Sequence, residues 1–281
     1  MDTTRASVSP SISPEQFSAL LGRPDAPLVL DVRRPERFAE SARIAPRARR
    51  CAPAEVARFA ATAGPGRAIV YCVHGQEVSE QAAAELRAAG WDARYLQGGI
   101  EGLVERGLPT VRKRPDLGVT GEAASRWITR ERPKIDRIAC PWLVQRFIDP
   151  AAEFIYVPTA QVFEEARRLG AVAYDIPGGA ITHEGELCSF DTLLAAFELE
   201  DPALLALAVI VRGADTDRLD LAPQSAGLKA FSLGLSRLHA ADDLAMLAAA
   251  LPLYDALYAW CREARSEPHS WNPDLMKDLP R

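Results

Sequence analysis

The chain has 281 residues, enough for two domains of ordinary size, and its 48% hydrophobic and 25% charged content is that of a globular protein. The formal net charge of -5 and the pI of about 5.5 argue against a dedicated nucleic-acid-binding protein, because such domains are usually basic. The five cysteines are an odd number without a CxxC pair, so neither a disulfide framework nor a structural zinc knuckle is expected.

The N-terminal stretch MDTTRASVSPSISPEQ lacks an apolar core of signal-peptide length. No run of residues approaches the roughly 18 apolar residues that a transmembrane helix needs. We therefore expect a cytoplasmic protein without a membrane partner. The reducing cytoplasm would keep its cysteines free for chemistry.

The first half alternates predicted helices and strands. Ser13-Pro14-Glu15-Gln16 has the serine cap, first-turn proline and glutamine of a helix start. Buried strands are predicted at 28–32, 68–72 and 93–96, and apolar residues at helical spacing fill 78–89. This alternation predicts an α/β domain with a parallel sheet and helices on both faces.

The composition changes near residue 112. The stretch RKRPDLGVTGEAAS is polar and is interrupted by Pro115, Gly118 and Gly121, which is typical of a linker. Further on, a β-hairpin is predicted across 171–187, and the sequence after Ser189 is mostly helical in pattern. We therefore predict an α/β domain followed by a linker and a mainly helical α+β domain, with bounds 10–112, 113–125 and 126–270.

Cys72 stands at the C-terminal end of a predicted strand and directly before a helix. Sites in parallel sheets form outside the carboxyl ends of the strands. Successive backbone N–H groups at a helix start, together with the helix dipole, form an anion-binding cradle that favours a reactive thiolate. Gly75 permits the tight turn that such a cradle needs. The alternative is an inert core cysteine, since free cysteine is among the most buried residue types.

Three segments carry a resemblance to a known family: LVLDVRRPERF (28–38), YCVHGQEVSEQAAAELRAAGW (71–91) and ARYLQGGIEGL (93–103). In this order, the region 13–111 resembles the rhodanese family of sulfurtransferases. The resemblance implies a small sulfur donor and a thiol acceptor, with Cys72 as the nucleophile that forms a persulfide. It also implies a cradle and loop-supporting residues, namely Val73, His74, Gly75, Gln76, Glu77, Asp31 and Arg33.

Two departures from the family pattern concern the sulfur donor. Glu77 stands where many single-domain rhodaneses carry a basic or hydroxyl residue, and its carboxylate would repel thiosulfate, although His74 would partly offset it. Residues 42–46, ARIAP, replace a turn that often contains histidine. Thiosulfate as the physiological donor is therefore left open, whereas a persulfide or redox role is retained.

Basic residues crowd the start of the second half. Guanidinium groups bind oxyanions through paired donors, so this stretch is a candidate oxyanion site. The alternative is a solvated helix face. The proposed oxyanion-binding residues are Arg130, Arg132, Lys134 and Arg137.

Potential metal ligands lie further along the chain. His183 and Cys188 flank a predicted turn, and Asp215 is a further plausible ligand by residue type. Their spacing matches no zinc motif, and a hydrogen bond or a helix cap is the alternative role for each. A divalent metal is the one cofactor that this part of the sequence suggests.

Long segments at 127–158, 174–194 and 210–239, beginning WITRERPKIDR, YDIPGGAITHE and IVRGADTDRLD, carry a second resemblance. Residues 126–265 are similar to the C-terminal domain of the ChrB-type chromate-resistance proteins. This resemblance implies a part in chromate resistance or its regulation, and a chromate dianion suits the basic stretch by charge.

Two functions follow from the sequence. The first is a cytoplasmic chromate-resistance protein with a rhodanese-type sulfurtransferase or thiol redox site at Cys72. The second is a non-catalytic oxyanion-sensing regulator, in which the rhodanese fold only binds. The acidic net charge and the lack of a recognisable helix-turn-helix favour the first.

Overall fold

The structure is a computed structural model that describes residues 10–267. Its first half alternates short strands with helices, as the sequence predicts. The elements are β1 (Ser11–Ile12), α1 (Pro14–Ser18), β2 (Leu28–Asp31), α2 (Pro35–Glu40), β3 (Arg43–Ile44), β4 (Ala48–Arg50), α3 (Val56–Ala63), β5 (Arg67–Tyr71), α4 (Glu77–Ala88), β6 (Asp92–Leu96), α5 (Gly99–Glu105) and β7 (Val111–Arg112).

The second half is mostly helical and contains three short strands. α6 continues into a π-helical turn at Val144–Ile148, and α11 into another at Trp260–Ala264. The elements are β8 (Arg126–Arg130), α6 (Asp136–Leu143), β9 (Glu153–Val157), α7 (Val162–Leu169), β10 (Val172–Ala173), α8 (Ser189–Phe197), α9 (Pro202–Asp215), α10 (Pro223–Leu238) and α11 (Asp243–Ala259).

A five-stranded parallel sheet forms the centre of the first half, in the order β1-β6-β5-β2-β4. The predicted helix start is confirmed, since Ser13 Oγ accepts from Gln16 N and Ser13 N donates to Gln16 Oε1. Side chains alternate along β5, so Ile69 and Tyr71 enter the larger core on one face of the sheet. Cys72 belongs to the smaller core on the other face.

The sheet of the second half is also parallel, in the order β10-β8-β9. The predicted hairpin across 171–187 is therefore wrong. Val172 pairs in parallel with Trp127, and Tyr174 bridges Ile181 in the same sense. Alternation of apolar and polar residues identifies strands but not their partners, and here the partner is β8 rather than the next segment of the chain.

The stretch expected to be a linker, residues 113–125, is packed against the rest of the protein. Leu117 and Val119 are each only 2% exposed and belong to the larger core. Gly121 accepts a hydrogen bond from the backbone N–H of Arg50 at 2.7 Å. The segment joins the two halves, and two apolar side chains and a backbone hydrogen bond hold it in place despite its polar composition.

The two halves share one core and are linked by polar contacts. The larger core includes residues of the sheet in the first half and of the helices in the second. Arg47, which is buried, donates from its backbone N to Phe147 O at 2.9 Å and from Nη1 to Gln145 O at 2.8 Å. Glu198 accepts from both Arg43 and Arg112. The halves are therefore joined over a broad contact.

The segment Asp243–Ala264, which comprises α11 and its π-helical extension, is long and apolar enough to cross a membrane by length and composition, with a mean hydropathy of 1.4. About 33% of its most apolar window is buried inside the protein. The core helix of a soluble protein passes the same test, so a single helix of this kind is weak evidence for a membrane span. Within this structure the helix packs against α6, α9 and α10.

Candidate functional site

The loop after Cys72 begins with two carbonyl groups that accept hydrogen bonds, those of Cys72 and Val73, and its N–H groups have no acceptor among the described residues. Ile100 N donates to Cys72 O and Glu101 N to Val73 O, both at 3.1 Å, so the start of α5 holds the loop from behind. Within residues 10–267, the backbone N–H groups of residues 73–76 have no hydrogen-bond acceptor. These groups form the donor set that a cradle for an anion requires.

The shape of this loop depends on glycine at residue 75. Gly75 has a φ of +66°, and a Cβ added to it would lie 2.2 Å from Leu96 O. Only glycine satisfies both the left-handed backbone and the close approach of the neighbouring loop. The turn that the sequence assigns to Gly75 is therefore present.

The Cys72 thiol lies beneath the loop, and the residue is 7% exposed. Its Sγ is 3.3 Å from Ser79 Oγ and 4.0 Å from Gln76 O. Ser79 is fully buried in the first turns of α4 and its Oγ also contacts Gln76 O at 3.0 Å. Sequence analysis missed Ser79, although its position seven residues after the cysteine, on the inner face of the helix, was a usable signal.

The side chains at the mouth of the loop are exposed. His74, Gln76 and Glu77 all face solvent. A cavity of about 580 Å³ adjoins the loop, with Glu77 and Arg34 among its lining residues. The cavity lining therefore contains two carboxylates, Glu77 and Glu85, and one guanidinium, Arg34.

Asp31 and Arg33 stabilise the strand ends on the face of the sheet opposite to the Cys72 thiol. Arg33 donates from Nε and Nη2 to the Asp31 carboxylate, at 2.9 and 2.6 Å, and both residues are buried. Tyr71 donates its hydroxyl to Asp31 Oδ2 at 2.6 Å. Burial raises the pKa of Tyr71 well above its usual value, so the phenol stays protonated and remains a donor. These residues position the end of β5 rather than contact the thiol.

A second buried thiol, Cys51, lies in the same smaller core as Cys72. It follows β4, and its N–H donates to Asp31 O at 3.0 Å. Because β2 separates β4 from β5, two strand spacings of about 4.8 Å lie between the two cysteines, more than the roughly 7 Å that a disulfide spans. Burial raises the pKa of the Cys51 thiol. All five cysteines are free.

Two of the predicted oxyanion-binding residues are already paired with a carboxylate. Arg130 ends β8 and donates from Nη2 to Asp175 O at 2.8 Å, with Asp175 Oδ2 at 3.3 Å. Arg137 lies in α6, and its Nε is 3.4 Å from the same Oδ2. Burial, followed by the charge of Arg130, lowers the pKa of Arg137. These two guanidinium groups are occupied by Asp175.

The other two predicted residues lie elsewhere. Arg132 and Lys134 precede α6 and line a cleft of about 430 Å³ together with Arg237 of α10. None of these three side chains has a carboxylate partner among residues 10–267, although Arg132 N donates to Asp243 Oδ1 at 2.9 Å. The basic stretch is therefore not one helix face but two separate sites.

His183 is surrounded by three aspartates. Its Nε2 lies 3.1 Å from Asp215 Oδ2, 3.5 Å from Asp136 Oδ2 and 3.5 Å from Asp175 Oδ1. Asp136, Asp175 and His183 each offer a ligand atom within 4.8 Å of the others, so they could hold a metal ion. Of the predicted metal ligands, the structure brings His183 and Asp215 together and adds Asp136 and Asp175.

The carboxylates of this cluster are held by hydrogen bonds from the start of α8. Ser189 N donates to Asp136 Oδ2 at 2.6 Å, and Ser189 Oγ donates to Asp175 Oδ1 at 2.8 Å. Asp136 is fully buried, and its Oδ1 has no hydrogen-bond partner. The backbone N–H of Asp136 contacts Asp215 Oδ1 at 3.4 Å.

Crowding of the carboxylates shifts the pKa values of the cluster. Burial, with the nearby Asp175 charge, raises the pKa of Asp136, and burial together with Asp136 raises the pKa of Asp215 to about 7. Hydrogen bonds to Asp136 and Asp175 raise the pKa of His183 to about 10. Although burial opposes it, hydrogen bonds from His183 and Ser189 lower the pKa of Asp175. The cluster therefore favours a positive charge at its centre.

Cys188, the remaining predicted metal ligand, lies outside the group of close ligand atoms. It is the N-cap residue of α8 and is fully buried, and its N–H donates to Asp191 Oδ2 at 3.0 Å. Burial raises the pKa of its thiol, which therefore stays protonated. Cys188 thus occupies a cap position, where the bond to Asp191 is made by its backbone N–H.

Comparison with known families divides the chain as the resemblances imply. Residues 13–106 match the family described as the rhodanese-like domain, and residues 127–261 match the family described as the C-terminal domain of ChrB. Protein ChrB of Cupriavidus metallidurans is 35% identical over 135 residues, which are 47% of this chain and 39% of that protein. The match thus spans about two fifths of the length of this curated relative.

Two solved structures are each similar to about a third of this chain. A thiosulfate sulfurtransferase of Pseudomonas aeruginosa is 27% identical with a TM-score of 0.31, over 36% of this chain and 19% of that one. A rhodanese homologue of Thermus thermophilus is 27% identical with a TM-score of 0.27, over 32% of this chain and 96% of that one. The first half is a rhodanese-like α/β domain and the second is largely helical.

Proposed function

We propose that this chain, in which a rhodanese-like domain precedes a ChrB-type C-terminal domain, is a sulfurtransferase that carries a persulfide on Cys72 and acts in chromate resistance. The observation that carries the proposal is the loop itself: Cys72 lies beneath a turn whose N–H groups, at residues 73–76, have no acceptor in the described part of the chain. A persulfide places a negative charge on its outer sulfur, and such preorganised donors stabilise it.

The reaction requires no oxidant beyond the donor. The Cys72 thiolate attacks the outer sulfur of a donor such as thiosulfate, so a sulfur–sulfur bond forms on the enzyme while that of the donor breaks and sulfite leaves. The thiolate of an acceptor then attacks the outer sulfur of the persulfide. The bond to Cys72 breaks, the acceptor leaves as a persulfide, and the Cys72 thiolate is regenerated.

The surroundings of Cys72 favour a small donor of low charge. Ser79 Oγ is 3.3 Å from Sγ, and its hydroxyl, which donates to Gln76 O in this structure, can turn to donate to the thiolate in either half of the reaction. Glu77 is exposed at the mouth of the loop and opposes the approach of a dianion. A persulfide of a small thiol therefore suits this site better than thiosulfate does.

The proposal is tested by treating the full chain with thiosulfate and, separately, with glutathione persulfide, and by measuring the mass of the intact protein. We expect a gain of one sulfur atom that dithiothreitol removes and that Cys72→Ser lacks. Cys51→Ser is the matched control, because Cys51 is buried in the same core and on the same face of the sheet. A gain that survives in Cys72→Ser, or no gain with either donor, would overturn the proposal.

The second candidate function is an oxyanion-sensing regulator. It is favoured by the cleft in which Arg132, Lys134 and Arg237 lie without carboxylate partners among the described residues. Calorimetry with chromate and a DNA mobility-shift assay with and without chromate separate the two functions. Chromate-dependent DNA binding by Cys72→Ser, without persulfide formation by the parent protein, would favour the regulator.

A further inference from the structure

We propose that Asp136, Asp175, His183 and Asp215 form a binding site for one divalent metal ion, with a coordination position open to solvent. The proposal concerns the second half of the chain and does not depend on the chemistry at Cys72. Four elements or loops contribute: the start of α6, the turn after β10, the loop before α8 and the end of α9.

Asp136, Asp175 and His183 have the mutual spacing of ligands around a metal, and the Asp215 carboxylate lies beside His183 as a fourth ligand. With metal–ligand distances of about 2.1 Å, adjacent ligand atoms are about 3.0 Å apart in an octahedron and about 3.4 Å apart in a tetrahedron. His183 Nε2 lies 3.1, 3.5 and 3.5 Å from oxygens of Asp215, Asp136 and Asp175. A small adjustment of these side chains would admit the ion.

A second observation points to a missing cation. Asp136 is fully buried, and its Oδ1 has neither solvent nor a hydrogen-bond donor. Its Oδ2, by contrast, accepts from Ser189 N and lies beside His183. Burying a carboxylate oxygen without a partner is costly unless the oxygen coordinates a metal. The unpartnered oxygen belongs to a carboxylate of the cluster, and a metal ion bound by both oxygens of Asp136 would satisfy it.

The arginines near the cluster pair with Asp175 only, so the negative charges of Asp136 and Asp215 are not balanced by an arginine or a lysine among the described residues. Arg130 and Arg137 approach Asp175 on its Oδ2, which leaves Oδ1 directed at His183. No lysine or arginine forms an ion pair with Asp136 or Asp215 among residues 10–267. In the absence of metal, a proton on His183 supplies one positive charge beside these carboxylates. A divalent ion would supply two, and His183 would then bind it as a neutral ligand.

Hydrogen bonds outside the ligand set hold the carboxylates in place. Ser189 binds Asp136 through its N–H and Asp175 through its hydroxyl. Such outer contacts orient metal ligands and are a usual part of metal sites. His183 is 41% exposed, so the ion would face solvent on that side and keep a position for water or a small ligand.

One imidazole with three carboxylates selects the class of metal. Carboxylates suit Mg²⁺ and Mn²⁺, and imidazole suits Zn²⁺, iron and nickel, so the mixed set favours Mn²⁺ or Fe²⁺ over the soft ions that thiolates bind. The buried thiols of Cys140 and Cys188 are not among the close ligand atoms of this cluster. Mn²⁺ is therefore the probe of choice.

The test uses the full chain after treatment with a chelator and its removal. Mn²⁺ is titrated and the free ion is followed by electron paramagnetic resonance, with Zn²⁺ as a competitor and calorimetry as a second measurement. We expect one saturable Mn²⁺ per chain and a loss of at least tenfold in affinity in His183→Ala and in Asp215→Asn. Both residues are partly exposed, so these variants should fold, whereas a substitution at the buried Asp136 would also destabilise the protein.

Two controls match these changes. Asp217→Asn makes the same substitution two residues away, at an exposed aspartate that pairs with Lys229, and His239→Ala removes a histidine at the end of α10. Both should bind Mn²⁺ as the parent does. Absence of stoichiometric binding of Mn²⁺ and Zn²⁺ by the parent, or binding unchanged in a folded His183→Ala protein, would overturn the proposal.

Discussion

Gly75 and Gly99 meet backbone to backbone beside Cys72. A Cβ on Gly75 would lie 2.7 Å from Gly99 N, and a Cβ on Gly99 would lie 2.6 Å from Gly75 N and 2.4 Å from Cys72 O. The loops after β5 and β6 can therefore approach this closely only if residues 75 and 99 are both glycine. This contact places the carbonyls of Cys72 and Val73 against the start of α5. The N–H groups of residues 73–76 have no acceptor among residues 10–267.

Gly99→Ala should disrupt the Cys72 loop. The new methyl group would overlap backbone atoms that cannot rotate away, which costs about 1–3 kcal/mol, in addition to about 1–2 kcal/mol for a left-handed alanine. Gly107→Ala is the control, because Gly107 also has a positive φ but no atom within 4 Å of an added Cβ. Denaturant unfolding and persulfide formation should both be impaired more in Gly99→Ala; equal effects in the two variants would contradict the role of the glycine contact.

Ser79→Ala should slow persulfide formation without abolishing it. Ser79 Oγ is 3.3 Å from Cys72 Sγ, and a hydrogen bond to a charged group contributes about 1.5–3 kcal/mol, which corresponds to about 10–100-fold in rate if it acts on the thiolate. Stopped-flow measurement of sulfur transfer as a function of pH checks this. Ser225→Ala, another fully buried serine, in α10, is the control and should transfer sulfur as the parent does.

Glu77→Gln should raise the rate with thiosulfate more than with a persulfide of lower charge. Two unit charges about 6 Å apart at an effective dielectric near 20 interact by roughly 3 kcal/mol before solvent and salt reduce it, and a third of that is about fivefold in rate. Steady-state kinetics at low ionic strength measures the ratio between donors. Glu80→Gln, also exposed on α4, is the matched control. An unchanged donor ratio in Glu77→Gln would mean that its carboxylate does not face the incoming donor.

The sequence predicts the surroundings of Cys72 far better than those of His183. The strand, the cysteine, the glycine turn and the helix follow one another within 68–89, so local patterns describe them. The ligand cluster instead joins Asp136, Asp215 and the pair Asp175 and His183, three parts of the chain that meet only through packing. A single aspartate carries no local signal of such a meeting, and for Asp175 the positive φ of 47° becomes visible only in the structure.

Leu117→Ala should destabilise the whole chain rather than loosen a linker. Leu117 is buried in the core that both halves share, and removing a buried leucine side chain to its Cβ costs about 2–5 kcal/mol. Denaturant unfolding followed by fluorescence should show one transition, moved to lower denaturant concentration. Leu187→Ala, at a leucine that is 40% exposed, is the control and should have a small effect. Early protease cleavage within 113–125 of the parent protein would contradict this expectation.

Arg132→Ala should weaken chromate binding, whereas Arg137→Ala should leave the affinity for chromate unchanged. Arg132 lines the cleft with Lys134 and Arg237 and has no carboxylate partner among residues 10–267. A charged hydrogen bond from it would contribute about 1.5–3 kcal/mol, or about 10–100-fold in affinity. Arg137 is already paired with Asp175, so its loss should lower stability instead.

Calorimetry of the full chain with chromate measures this difference, and sulfate titrated in parallel separates charge from chemistry. Because sulfate and chromate are tetrahedral dianions of similar shape, a cleft built only from cations should bind both with similar affinity. Chromate binding lost in Arg137→Ala but retained in a folded Arg132→Ala protein would place the oxyanion beside Asp175 and His183 rather than in the cleft. A preference for chromate that Arg132→Ala removes would show that the cleft also contributes selectivity.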